Sequence, residues 1–92
     1  MKITSLELQI LKGITKSDFY ENGQGSVVYG WSVYETCGIP RKSCPGVVSS
    51  LVKKGLVGVD GSGDERALWI TTLGYDTLTE MGLMNAEGYF TK

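Results

Sequence analysis

Few side chains in this sequence are equipped for covalent or acid–base chemistry. It contains no histidine, so the side chain that titrates nearest neutrality, and the commonest metal ligand, is missing. Cys37 and Cys44 stand seven positions apart. A zinc ion held by them would need carboxylates to complete its shell, which is an unusual ligand set for a structural site. Neither thiol has an evident base beside it, and Gly23-Gln24-Gly25 is too short to serve as a phosphate-cradling nucleotide loop. The sequence therefore predicts no catalytic residue, no metal site and no cofactor. Both thiols are expected reduced and semi-buried as small apolar fillers, forming a redox pair only if the helices that carry them meet.

What remains is a pattern of cations and hydroxyls. Nine Lys and Arg against ten Asp and Glu give a net charge of −1, which offers no global attraction for nucleic acid. Local clustering has to supply it. Arg41, Lys42, Lys53, Lys54 and Arg66 fall in the middle of the chain, while acids gather toward the ends and around Asp60 to Glu65. Projected as a helix, the segment from Cys44 collects Cys44, Val47, Val48, Leu51 and Val52 on one side. Lys42, Gly46, Ser49, Ser50 and Lys53 fall on the other. Small residues let a backbone enter a groove about 12 Å wide, and hydroxyls and ammonium groups reach base edges and phosphates. The helix N-terminus at Ser43, beside Arg41 and Lys42, adds free amides and a dipole that attract phosphate. A plain solvated helix surface shares this composition, so its placement matters. Trp31, Tyr34 and Trp69 read as packing anchors rather than as platforms for base stacking.

The elements that position these groups follow from capping and turn signals. A chain of 92 residues has material for one modest core, so residues 1–92 are expected to form a single domain, with 83–92 as a C-terminal tail. No apolar run approaches the roughly 20 residues needed to cross a bilayer, and the start lacks a secretory stretch. A soluble, cytoplasmic protein is the expectation. Thr4-Ser5-Leu6-Glu7 has the spacing of a capping box and opens the first helix. Leu6, Ile10 and Ile14 share one face of it, while Leu8 and Leu11 fall on another that needs a partner. Glu21 to Ser26 is an exposed loop. Val27 to Tyr29 reads as a short strand and Trp31 to Cys37 as a short helix ended by Gly38.

Pro40 and Pro45 bracket a restart, with Ser43 or Cys44 capping a third helix that runs to Lys54 and stops at Gly55. Leu56–Val59 and Ala67–Ile70 read as strands joined by a long, flexible tip, Asp60 to Arg66. Thr71 or Thr72 caps a last helix through about Met81, with Leu78 and Met81 inward and Gly82 closing it. The fold class is α+β, mostly α. The order predicts a winged helix-turn-helix, with a three-helix core, a two- or three-stranded β-wing and a C-terminal helix.

From Gly38 to Leu78 the sequence resembles the winged-helix regulators of the MarR family. The resemblance is carried by Leu51-Val52-Lys53-Lys54-Gly55-Leu56-Val57, Asp64-Glu65-Arg66-Ala67 and Ile70-Thr71-Thr72-Leu73-Gly74. Tyr29-Gly30-Trp31-Ser32-Val33 is also similar to the opening of the second helix in the related PadR family. The resemblance implies a third helix in the major groove and a wing whose arginine, Arg66, turns toward the minor groove while Asp64 orients it. This sequence departs from the pattern in its short flanks, the few basic residues of its third helix, and Pro45-Gly46 where relatives continue a helical turn.

The expectation is a non-enzymatic transcriptional regulator that binds double-stranded DNA. Its recognition helix spans about 43–54 and its wing 58–70. The binding set is Arg41, Lys42, Ser43, Gly46, Ser49, Ser50, Lys53 and Arg66, with Asp64 as wing support. A homodimer would place two recognition helices about 34 Å apart, and Leu8, Leu11 and the aromatic tail are the candidate contact. The alternative is an adaptor of the same shape that binds another protein, favoured by near-neutral charge and the acidic wing.

Overall fold

In the computed structural model, residues 2–91 are described. They form an α+β fold, mostly helical, with four α-helices and one three-stranded antiparallel sheet. The first helix, α1 (Ser5–Lys16), opens on a capping box. Thr4 Oγ1 accepts from the Glu7 amide at 3.1 Å, and Glu7 Oε1 accepts from the Thr4 amide at 2.9 Å. Two otherwise orphaned donors are thereby satisfied. After the loop, the two-residue strand β1 (Val28–Tyr29) runs directly into α2 (Gly30–Thr36). Gly38, at φ +78°, turns the chain in a conformation that costs a side-chain-bearing residue. A 3₁₀ turn (Arg41–Ser43) then leads into α3 (Cys44–Lys53), with Pro45 in its first turn, and Gly55 at φ +76° ends it.

Strands β2 (Val57–Asp60) and β3 (Ala67–Ile70) pair with Val57 opposite Ile70 and Asp60 opposite Ala67. On the other edge of β3, Val28 faces Leu68 and Tyr29 faces Ala67, so the sheet order is β1-β3-β2. The last helix, α4 (Thr72–Glu80), is capped by Thr71, whose hydroxyl accepts from the Gly74 amide at 3.0 Å.

The core lies where α1 meets α2, α3 and β3. Ile10, Leu11, Ile14, Val28, Val33, Val48, Leu51, Leu56, Leu68 and Leu78 are fully buried. Because α1 packs on neighbours along more than one flank, Leu11 is already covered within the chain and is not available to a second subunit. Leu8 is half-buried against the same core, while Leu6, in the first turn, is 47% exposed. Met81 also departs from expectation. It is the C-cap of α4 and 47% exposed, because the helix has already run past the core after Leu78.

The tail is committed to its own chain. Met84 is buried and bridges Phe90, and Asn85 Oδ1 accepts from the amides of Glu87 and Tyr89. Gln24 N donates to Glu87 O at 2.8 Å, and the buried Tyr20 hydroxyl donates to Gly88 O at 2.6 Å. The tail therefore holds the 21–26 loop, while Tyr89 remains 37% exposed. Among the described residues no helix is long and apolar enough to cross a membrane.

Candidate nucleic-acid interface

The outward flank of α3 begins in the 3₁₀ turn that precedes it. Lys42, Ser43, Gly46, Ser49 and Lys53 are all exposed. A Cβ placed on Gly46 would meet nothing within 4 Å, so the surface there is open. The opposite flank is anchored by Cys44, Val48 and Leu51, each fully buried. Val52, expected on that inner side, is 38% exposed. At 100° per residue it lies about 70° from the centre of the buried stripe, beyond the reach of the core.

Ser50 is not free for a ligand. It is half-buried and donates to Glu7 Oε2 at 2.5 Å, while Lys54 Nζ reaches Glu7 Oε1 at 2.6 Å. Glu7 is 2% exposed. Burial by itself would raise its carboxyl, but hydrogen bonds from Lys54, Ser50 and the Thr4 amide outweigh this and hold it down at about 2. A buried carboxylate needs such partners, since leaving it unpaired costs several kcal/mol. This contact clamps the N-terminus of α1 to the C-terminal half of α3 and fixes which way α3 faces. Glu7 was legible as a capping residue, but its second role had no signal in the sequence.

The tip of the β2–β3 hairpin also differs from the long, flexible one the sequence suggested. A 3₁₀ turn (Gly63–Glu65) folds it back onto α2, where Gly30 N donates to Arg66 O at 2.9 Å. Arg66 is half-buried, and its Nε donates to Gly63 O at 3.0 Å. Asp64 pairs with Arg41 rather than orienting Arg66, so the hairpin tip is tied to the turn before α3. Arg41 also lies over the Tyr34 ring, 5.2 Å from its centroid, within cation–π range. Both partners of the Arg41–Asp64 pair are about half exposed, so salt and solvent screen it. The ion pairs among the described residues are this one and Lys54–Glu7. On the outward flank itself, Lys42 and Lys53 carry positive charge with no ion-pair partner among the described residues.

Beneath the turn, Cys37 and Cys44 meet with 3.6 Å between sulfurs. Both are free and buried. Burial, then the hydrogen bond and charge of Cys37, push the Cys44 thiol up to about 11. Their shared position joins the end of α2 to the start of α3. Tyr34, packed nearby, has a buried hydroxyl with no hydrogen-bond partner among the described residues, and burial pushes its pKa above the usual phenol value.

A scan against protein-family models finds no match for this chain, and a search of curated proteins finds none either.

Proposed function

We propose that the chain is a winged helix-turn-helix of the MarR and PadR kind that binds double-stranded DNA as a transcriptional regulator. In this reading α3 enters the major groove through Lys42, Ser43, Gly46, Ser49 and Lys53. The wing approaches the neighbouring minor groove with Arg66. The observation that supports it best is the open outward flank of α3, held rigid from behind by three buried side chains and the Glu7 clamp. A groove-reading helix needs small residues and unpaired cations on one unobstructed side. Arg41 joins this surface if a phosphate replaces Asp64, an exchange between two exposed anions that costs little. Assembly as a homodimer, with two copies of α3 about 34 Å apart, belongs to the same proposal, as does a cytoplasmic site of action.

The second reading is a protein-binding adaptor, favoured by the acidic wing tip and by the neutralisation of Arg41. Fluorescence anisotropy with a random-sequence duplex separates the two. The DNA reading expects affinity to fall steeply between about 50 and 200 mM salt. Lys42→Ala and Lys53→Ala should each weaken binding by on the order of 1 kcal/mol and reduce the salt slope by about one. Weak, salt-insensitive association, unchanged in both variants, would reject DNA binding.

A further inference from the structure

Three large aromatic side chains stand together on the surface at the junction of α1, β1 and α2. Phe19 is 39% exposed, Tyr29 42% and Trp31 43%. They are not loose. The Phe19 ring stands edge-on to both others, with centroids 5.0 Å from Tyr29 at 86° and 5.6 Å from Trp31 at 87°. Edge-to-face packing of this kind orients the rings before anything binds. A hollow opens between Tyr29, Trp31 and Glu65, the last brought there by the 3₁₀ turn at the wing tip. A second hollow, also bordered by Trp31, is lined by Phe19, Asp18 and Glu35 together with Lys16. Glu65 is exposed and has no ion-pair partner among the described residues.

Aromatic walls and carboxylates favour one class of occupant. A cation over the face of Trp or Tyr is attracted by the ring quadrupole, and a carboxylate at the rim adds a charge-assisted hydrogen bond. Glu65, Asp18 and Glu35 outnumber Lys16 along the two hollows and disfavour a DNA phosphate. A purely apolar partner would leave those carboxylates facing it without counter-charge. We infer that the Phe19–Tyr29–Trp31 surface docks a basic segment of a partner protein, with an Arg or Lys side chain seated between Tyr29, Trp31 and Glu65. This surface is separate from the outward flank of α3 but shares the hairpin tip with Arg66, so it is probed in the absence of DNA.

The test uses the full chain without DNA. An acetylated, amidated peptide with two arginines in a Gly-Ser background is titrated while the Trp31 indole resonance is followed. A matched peptide with citrulline in place of arginine serves as the neutral control. The arginine peptide should shift Trp31 saturably and the citrulline peptide should not. Glu65→Gln, at an exposed position that leaves the fold intact, should weaken binding about threefold. Trp31→Ala should abolish the response of the Tyr29 amide. Equal shifts with both peptides, no shift with either, or a Trp31 shift that tracks protein concentration alone would each overturn the inference, the last by making a second copy the occupant.

Discussion

Replacing Glu7 by glutamine probes the clamp that sets the pose of α3. Glutamine keeps the length and one acceptor but removes the charge facing Lys54 and Ser50. In the fold the carboxyl is held at about 2, against an ordinary value of 4.5. That difference is worth about 3 kcal/mol to the folded state at neutral pH. Because the folded value lies below the unfolded one, the contribution is complete above 4.5 and is lost as the pH falls toward 2. Urea unfolding of wild type and Glu7→Gln, at pH 7 and at pH 3, isolates this group, since the other carboxylates titrate in both proteins. The variant should be less stable by about 3 kcal/mol at pH 7, with the gap shrinking to half or less at pH 3. A gap below about 1 kcal/mol, or one that does not change with pH, would refute the clamp.

Two glycines in helices should respond in opposite directions. In α4 a Cβ on Gly74 would meet Leu56 O at 2.3 Å and Ile70 Cγ2 at 2.7 Å, so Gly74→Ala should cost about 2 kcal/mol or more despite alanine's better helix propensity. Gly46→Ala, at the open position in α3, should stabilise by up to about 1 kcal/mol, both readable from thermal melts. Tyr20→Phe removes hydroxyl bonds to Gly88 O and to the Tyr75 hydroxyl at 3.0 Å and should cost about 1–2 kcal/mol, with faster amide exchange at Gln24; Tyr34→Phe, which loses no partner, should be neutral or stabilising. At pH 7.5, a thiol reagent should label Cys44 at least about tenfold more slowly in the native protein than in denaturant, since the thiol is fully buried and burial pushes it from 9.0 up to about 11. The same upward displacement makes the stabilising effect of the neutral thiol fade as the pH rises above 9.

Features governed by neighbouring residues were legible in the sequence, and those governed by distant ones were not. The Thr4–Glu7 box, the Thr71 cap, the turns at Gly38 and Gly55 and both hairpin strands are local, because cap spacing and glycine φ act within a few residues. Leu11, Val52 and Met81 were misjudged for the opposite reason. Helical periodicity says which residues share a face, but not how many faces a helix buries or where along its length the core ends. Ser50 looked available because nothing within α3 reveals Glu7, 43 positions earlier in the chain. Asp64 was expected to orient Arg66 because Asp64-Glu65-Arg66-Ala67 resembles the wing of the MarR family. The fold instead brings Arg41 to it across the turn. The outward flank of α3 was readable because its exposure follows from the buried stripe opposite.

Contact between this flank and a duplex is measured by backbone amide shifts recorded while a short duplex is added at low salt. Changes should concentrate at Lys42, Ser43, Gly46, Ser49 and Lys53, with weaker ones at Arg66. Changes confined to Phe19, Tyr29 and Trp31, or none at saturating duplex, would contradict it.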